Sequence, residues 1–203
     1  FESRMLEASS LDSLLSKAGT SGRVRWSCLA ASSSLLAFGA NTGSLYYFEH
    51  ETLKFLGISS SNREPITKIE FSPDEQHLAM VTSKGTLFIL ETKHGNRKEK
   101  ERVVIKLTQP DVSCLCWNSS SDTLYFGDDS GKVSFISLPK QNKLARNSSE
   151  LVFQADSSIV QLEFHDKYLL VSSLTRSTII DIEKRTTLQV GSQLREGRSF
   201  LDV

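Results

Sequence analysis

The sequence predicts an all-β fold built from repeated antiparallel sheets. Its apolar, β-branched and aromatic residues come in short runs that are typical of strands. The runs recur as one unit of three strands, with a polar turn after the first strand and a glycine turn after the second. The unit repeats about every 40 to 47 residues, the length of a WD40 propeller blade. We therefore expect a WD40-like β-propeller, with about four blades of four antiparallel strands each.

Four repeats align at their apolar positions and turns. They span 28–49, 68–91, 114–137 and 161–183. The first inward position of each innermost strand is Leu29, Ile69, Leu115 or Leu162, and the second is Ala31, Phe71, Trp117 or Phe164. The hairpin turn holds Gly43, Gly85 and Gly131, where a positive φ suits glycine, and Arg176 in the fourth repeat. The Trp-Asp dipeptide of consensus blades is absent, so the alignment depends on apolar positions and turns.

Further segments complete the blades. The predicted outer strands are Leu53–Ile58, Arg102–Leu107, Glu150–Gln154 and Thr186–Val190. The blades then lie near 24–58, 66–107, 112–154 and 159–190, within a partial propeller over 24–203. Residues 1–23 form an N-terminal segment, in which Leu11–Ala18 is predicted as a short helix or as part of a closing strand.

Four blades are few for a closed ring, so we expect them to belong to a larger, seven-bladed one. An open arc exposes one face of the first blade and one of the fourth, and a longer chain or a partner would cover these faces. The segment Ser199–Val203 resembles the start of a fifth innermost strand.

Composition excludes several classes of function. The 203 residues carry 24 basic and 24 acidic side chains, which argues against a nucleic-acid binder or a polybasic membrane surface. No apolar run is long enough to span a bilayer. Three cysteines, with Cys114 and Cys116 two apart on one strand, favour reduced thiols packed between blades over a zinc site. We expect no metal and no cofactor.

The sequence contains no catalytic constellation, which predicts a protein that is not an enzyme. The four histidines, His50, His77, His94 and His165, are expected to be exposed loop residues. Asp128 and Asp129 precede a glycine turn and are expected to bond local backbone. The strand residues Glu70 and Glu163 stand as isolated candidates for a channel-facing carboxylate.

Two basic regions are candidate partner-binding sites. One is Lys93–Lys106, and the other lies near the C-terminus. The candidate residues are Arg97, Lys98, Lys100, Arg102, Arg176 and Arg195. They favour an acidic partner or acidic lipid headgroups, or they form an ordinary solvated surface, since Glu99 and Glu101 interrupt the first run. Leu174–Ser177 lacks the second arginine and the glycine of the Phe/Leu-Arg-Arg-Gly signature of phosphoinositide-binding propellers, which counts against lipid.

Several stretches carry a family resemblance. They are SLDSLL at 10–15, CLCW at 114–117, FGDDSGKVS at 126–134, IVQLEF at 159–164 and LLVSSLTRS at 169–177. Through them the chain resembles the N-terminal propeller of the Hermansky–Pudlak syndrome 5 protein family and its relative, tectonin β-propeller repeat-containing protein 2.

The resemblance implies a non-catalytic scaffold. In the first family this is a subunit of the biogenesis of lysosome-related organelles complex 2, which acts in endosomal vesicle trafficking and tethering. The tectonin relative implies a scaffold for autophagy and secretory-pathway traffic, and a phosphoinositide- or peptide-reading propeller is the remaining alternative. The implied partners are other subunits of a trafficking complex and small GTPases, and the implied place is the cytoplasm, peripheral on endosomal membranes.

Overall fold

The computed structural model describes residues 15, 16, 18, 23–60, 64–92, 100–107, 111–138 and 148–191. These residues form sixteen strands of five to seven residues each. The first blade holds β1 (Trp26–Ala31), β2 (Leu35–Ala40), β3 (Ser44–Glu49) and β4 (Phe55–Ser60). The second holds β5 (Ile66–Phe71), β6 (His77–Thr82), β7 (Thr86–Glu91) and β8 (Lys100–Lys106). The third holds β9 (Val112–Trp117), β10 (Thr123–Asp128), β11 (Lys132–Ser137) and β12 (Glu150–Gln154). The fourth holds β13 (Ile159–His165), β14 (Tyr168–Ser173), β15 (Ser177–Asp181) and β16 (Thr186–Val190).

Each blade is a four-stranded antiparallel sheet made from four consecutive strands. Neighbouring strands pair in sequence order, so every connection within a blade is a simple return. This architecture confirms the predicted all-β propeller with four blades of four strands. Two outer strands differ slightly from the prediction, because β4 begins two residues after Leu53 and β8 begins two residues before Arg102.

The glycine turns between the second and third strands have the predicted backbone. Gly43, Gly85 and Gly131 have φ of 80°, 72° and 85°. In the fourth blade the turn that holds Arg176 is built without a positive φ. A side chain is therefore tolerated at this turn, whereas the other three turns need a residue with positive φ, which favours glycine.

The cores lie between neighbouring blades. Ile69 and Met80 of the second blade pack with Ala37 of the first, and Ala79 and Ile89 pack with residues of the third. Between the third and fourth blades, Cys116 and Tyr125 pack with Leu162 and Val171. The innermost strands are thus apolar on the faces where blades meet, as a propeller requires.

Strand β9 shows how one innermost strand serves two interfaces. Leu115 and Trp117 pack toward the second blade, whereas Cys114 and Cys116 pack toward the fourth. The two cysteines therefore lie on the opposite face from Leu115 and Trp117, as the alternation of a strand predicts.

The two ends of the arc are open. On the outer face of the first blade, Trp26, Phe38 and Phe48 form edge-to-face aromatic contacts, and Ala18 packs against this cluster. Leu29, on the same face, is 53% exposed, so its predicted inward position is wrong. The physical reason is that none of the described blades packs on this side, whereas Ile69 has the first blade beside it.

The N-terminal segment is described only in part. Residues 15 and 16 are helical and residue 18 lies in a turn, within the predicted helix Leu11–Ala18. The rest of that prediction falls outside the described residues, apart from Arg23 just before β1.

Candidate functional site

Arg176 lies at the rim between the third and fourth blades. The turn between β14 and β15 places it opposite Asp156, in the link between β12 and β13. Its Nε donates to Asp156 Oδ2 at 3.0 Å, and a second guanidinium nitrogen donates to Gln189 Oε1 at 3.3 Å. The Thr175 hydroxyl also donates to Asp156, at 2.7 Å. That hydrogen bond, with the charge of Arg176 as a smaller cause, holds the pKa of Asp156 below its usual value.

A rim cleft of about 340 Å³ opens beside this ion pair. Phe153 and Val171 contribute apolar surface, while Asp156, Arg176 and Gln189 supply polar groups. The arginine that sequence analysis selected thus lines a cleft between two blades. Because Asp156 already balances its charge, the geometry favours a mixed polar and apolar contact over binding of an anionic headgroup.

The other basic candidates are not brought together with Arg176 by the described structure. Lys100 and Arg102 lie on β8, the outer edge strand of the second blade. Arg97, Lys98 and Arg195 fall outside the described residues.

An axial cavity of about 300 Å³ lies where the innermost strands meet. Residues of all four blades line it, among them Ala31, Glu70, Cys116 and Glu163. Glu70 and Glu163 thus both line an axial cavity, as expected of channel-facing strand residues, and they lie close enough for their charges to interact. The repeat register explains this, because Glu70, Cys116 and Glu163 pair with equivalent residues of the second strands in their own blades.

The electrostatics of the axial cavity follow from this arrangement. Glu70 keeps contact with solvent, yet the cavity wall removes enough water to raise its pKa to about 7, and the nearby charge of Glu163 adds to the effect. Burial, followed by the charges of Glu163 and Glu70, raises the pKa of the Cys116 thiol to about 12. At neutral pH this thiol is protonated and poorly suited to act as a nucleophile.

The histidines differ from the prediction in one case. His77 is half-buried at the start of β6 and stacks on Trp117, with ring centroids 6.0 Å apart. Its description as an exposed loop residue is wrong, because Trp117 of the next blade covers it. His50 is exposed in a turn and His165 is exposed at the end of β13, while His94 falls outside the described residues.

Polar turns bind the blades to one another at both ends of the strands. Asp128 accepts hydrogen bonds from the backbone N–H groups of Ser130 and Lys132, which confirms its predicted role in the glycine turn. Asp129 accepts a hydrogen bond from the Ser158 hydroxyl of the next blade's link at 2.9 Å. At the opposite end, the Ser34 backbone N–H and hydroxyl both donate to Glu75 of the second blade. Sequence reasoning missed Glu75, since a turn carboxylate carries no signal of its partner.

Metal-binding groups and membrane-spanning helices are the remaining features of interest in the described residues. In the described parts of the chain, no group of three His, Cys, Asp or Glu side chains is arranged to hold a metal ion. The same residues include no helix with the length and apolarity needed to cross a bilayer.

The family model for the NUP159/214 β-propeller matches residues 17–188, from before β1 into β16 of the fourth blade. The chain belongs to the NUP159/214 β-propeller family. The match spans the same strands whose register and turns define the four blades above.

Relatives of this propeller include BLOC-2 complex members. The chain is 31% identical to the BLOC-2 complex member HPS5 homolog of Anopheles gambiae over 87% of its length, and 30% identical to the BLOC-2 complex member HPS5 of Homo sapiens over 95%. It covers 22% and 18% of these two proteins, so it spans about a fifth of their length. Tectonin β-propeller repeat-containing protein 2 of Homo sapiens is 30% identical over 79% of the chain and 12% of that protein. These matches confirm the resemblance on which the sequence analysis drew.

Solved structures support the fold. A chain in the crystal structure of the mitotic checkpoint complex superposes with a TM-score of 0.66, at 13% identity, covering 86% of this chain and 54% of that one. The computationally designed Ika4 protein superposes with a TM-score of 0.57, at 15% identity, covering 84% of this chain and 92% of that one. At these identities the likeness concerns the propeller architecture alone.

Proposed function

We propose that this propeller is a non-catalytic interaction scaffold, and that it serves as the propeller part of a BLOC-2 subunit in endosomal vesicle trafficking. The observation that carries the proposal is the match to BLOC-2 complex members over 87% and 95% of the chain. At 95% of the chain, the match to the human protein reaches into every blade.

The geometry suits a scaffold. Four stacked blades present rims, edge strands and turns at fixed positions, which are surfaces for several partners at once. The axial carboxylates do not form an acid–base pair with a nucleophile, because the thiol beside them has a raised pKa. The proposed partners are other members of the complex and small GTPases, and the proposed place is the cytoplasm, peripheral on endosomal membranes.

Affinity purification tests the proposal. We expect the tagged full-length chain, expressed in cells, to recover the other BLOC-2 members in quantitative mass spectrometry. Gly131→Val, which disrupts the third blade, is the control for recovery that depends on the fold. Recovery of no BLOC-2 member by the folded chain would overturn the proposal.

The basic edge can be tested in the same assay. Charge reversal at Lys100 and Arg102 of β8, together with Arg97 and Lys98, is expected to lower recovery of the partner severalfold, since rim charges steer association. The matched control reverses Arg23, Arg25 and Lys54, which are exposed and lie outside both basic regions. Equal effects of the two reversals would remove the β8 edge as the binding site.

A second candidate function is a scaffold for autophagy and secretory-pathway traffic. The 30% identity to tectonin β-propeller repeat-containing protein 2 over 79% of the chain favours it. Depletion of the protein in cells distinguishes the two candidates. A defect in lysosome-related organelles with normal autophagic flux supports the BLOC-2 role, and the reverse supports the tectonin-like role.

Phosphoinositide binding has weaker support, because Asp156 balances the charge of Arg176. Liposome flotation with and without phosphoinositides tests it directly. Binding at physiological salt that is lost in Arg176→Ala would favour this function over a purely protein-binding scaffold.

A further inference from the structure

Strand β16 differs from the other outer strands in how it pairs with its neighbour. In each of the first three blades the outer strand contains one extra residue where its register shifts, namely Leu56, Arg102 or Val152. A bulge of this kind bends and twists an edge strand, which hinders the pairing of another strand with it. β16 instead pairs with β15 in an unbroken register from Thr186 to Val190. Among the described outer strands, only β16 therefore presents a regular edge.

The sequence of β16 also lacks the charges that protect an edge. The strand reads Thr-Thr-Leu-Gln-Val, and all five residues are exposed. Strand β8, by contrast, contains two lysines, an arginine and a glutamate. Charges and bulges are the devices that keep other strands away from an edge, and β16 has neither. An edge of this kind suits an extended segment of another protein, which would add to the sheet through main-chain hydrogen bonds.

The register shows which backbone groups of β16 face outward. The hydrogen bond from the Ile182 N–H to the Lys167 carbonyl oxygen fixes the alternation between β14 and β15. By the same alternation, β15 forms its hydrogen bonds to β16 at Leu188 and at the residues two positions to either side. The N–H and C=O groups of Thr187 and Gln189 consequently point away from the sheet. No other strand of the described ranges pairs with this edge.

The rim cleft lies beside this edge. Thr187 and Gln189 line the cleft together with Phe153 and Val171. Residues that face each other across an antiparallel ladder place their side chains on the same side of the sheet, so partner residues opposite Thr187 and Gln189 would extend over the cleft. Phe153 and Val171 offer these residues an apolar surface. The cleft thus favours apolar side chains at alternate positions of the partner segment.

Two basic side chains lie at one end of the edge. Lys184 and Arg185 are exposed in the turn before β16, and none of the described carboxylates forms an ion pair with either. Glu183 of the same turn lies 4.0 Å from the ammonium group of Lys167, which balances its charge. In an antiparallel ladder the carboxyl end of the added segment lies opposite the start of β16. Acidic residues after that segment would therefore meet Lys184 and Arg185.

We propose that β16 is a strand-addition site for an extended segment of a partner protein. The segment pairs antiparallel with β16, places apolar side chains over the rim cleft and carries acidic residues after its last paired residue. The β16 strand of a second copy does not fit this description, because residues 186–191 contain no carboxylate to lie opposite Lys184 and Arg185. The inference goes beyond the proposed function and does not depend on it, since it concerns the chemistry of one strand edge.

A synthetic peptide tests the site. The probe consists of five alternating valine and threonine residues followed by two aspartates, with both ends capped. At saturating peptide we expect amide hydrogen exchange at Thr187 and Gln189 to slow by about fivefold or more, as their N–H groups gain partners. Exchange at Leu188 is expected to change by less than about twofold, because its N–H already bonds to β15. Slow exchange at Thr187 and Gln189 in the free chain would overturn the proposal, since the edge would already be paired.

A proline substitution tests the main-chain pairing. Thr187→Pro removes an outward N–H and leaves the hydrogen bonds to β15 in place, as prolines on edge strands do. We expect it to weaken peptide binding by about fivefold or more in fluorescence anisotropy. Thr187→Ala is the matched control, because it keeps the N–H, and is expected to change binding by less than about twofold. Equal affinities of these two variants, both folded by circular dichroism, would overturn the proposal.

The order of the peptide tests the orientation. Moving the two aspartates to the amino end is expected to weaken binding by about threefold or more at low salt, since they then lie far from Lys184 and Arg185. Lys184→Glu with Arg185→Glu is expected to remove this difference between the two peptides. Equal binding of both peptides to the unaltered chain, or no binding of either, would overturn the proposal. A dimer of the free chain that Thr187→Pro dissociates would also overturn it, because a second copy would then occupy the edge.

Discussion

Gly131 combines two constraints at a single residue. Its φ is 85°, and an added Cβ would lie 2.8 Å from the carbonyl oxygens of Ala155 and Ser157. The turn that it forms therefore sits against the link that leads into the fourth blade. A side chain here strains the backbone and pushes that link away.

Gly131→Val is therefore expected to lower the free energy of unfolding by about 2–4 kcal/mol. Chemical denaturation followed by circular dichroism measures the change. Gly57→Ala in β4 is the control, since nothing lies within 4 Å of an added Cβ and φ is not positive there. Equal losses in the two variants would show that the turn geometry is not the cause.

Glu70 gives the protein a pH dependence. Its pKa is about 7 in the folded state, above the ordinary value of 4.5. The unfolded chain therefore binds fewer protons between these two values, and the contribution of Glu70 to stability falls as pH rises from about 4.5 to 7.

Glu70→Gln is expected to stabilise the protein at pH 8 by about 1 kcal/mol, a value kept small because solvent screens the cavity. Below pH 4.5 the gain is expected to disappear, because the carboxyl is protonated in both states. Thermal unfolding at both pH values checks this, with Glu51→Gln on an exposed turn as the control. A gain that is independent of pH would rule out the carboxylate charge as its cause.

Single residues show what the sequence can and cannot predict. The positive φ of Gly43, Gly85 and Gly131 was predictable because their turns recur at the same place in each repeat. The stacking of His77 on Trp117 and the bond between Glu75 and Ser34 were not, because both join residues about 40 positions apart on different blades. A sequence pattern within one blade carries no information about such partners.

At the level of the strand, a close contact at the start of an innermost strand couples one blade to the next. Ile159 begins β13 and fills the space left by the missing side chain of Gly127 in β10. The close approach explains a glycine inside a strand, where it otherwise weakens the sheet.

A double-mutant cycle measures this coupling. Gly127→Ala is expected to cost about 1–3 kcal/mol, because its Cβ would lie 2.7 Å from that of Ile159. In the Ile159→Gly background the same substitution is expected to cost less than about half as much, since the Cβ and Cγ2 atoms of residue 159 that approach the added Cβ are then absent. Additive costs would mean that the two residues do not contact each other in solution.

The strands themselves were largely predictable from alternating apolar residues. The bounds of β12 and β16 agree with the prediction, whereas β4 and β8 are displaced by two residues. Outer strands carry fewer apolar positions, so alternation marks their ends less clearly. Arg176 was selected from its turn, but its ion pair with Asp156 was missed, because a repeat pattern does not show which link residue a turn side chain contacts.

At the level of the whole molecule, the described arc has two exposed apolar ends. Leu29 of the first blade and Leu188 of the fourth are more than half exposed, and Leu29 differs in this from its equivalents Ile69 and Leu162, which are buried. The seven-bladed ring expected from the sequence stays a prediction, but the open faces identify where further blades would attach.

Replacing Leu29 and Leu188 with serine is expected to lower binding of a hydrophobic dye while changing the free energy of unfolding by less than about 0.5 kcal/mol. Ile89→Ser in the interface between the second and third blades is the contrasting variant, expected to cost several kcal/mol because Ile89 is fully buried. Dye fluorescence and denaturant titration on the same samples measure both effects. A large stability loss in the first variant would show that these ends are already covered in solution.

The order of the strands has a consequence for synthesis. Each sheet is complete within one stretch of the chain, and the apolar cores between sheets each join two successive blades. A nascent chain leaving the ribosome can thus close its first sheet before the second has been translated, and every later sheet adds to a finished neighbour. The first residue of an innermost strand is made at the start of its sheet. Translation of that strand therefore supplies the side chain that packs against the blade made before it. A ribosomal pause just before an innermost strand leaves the apolar face of the preceding blade exposed. Chaperones then have apolar surface on that face to bind.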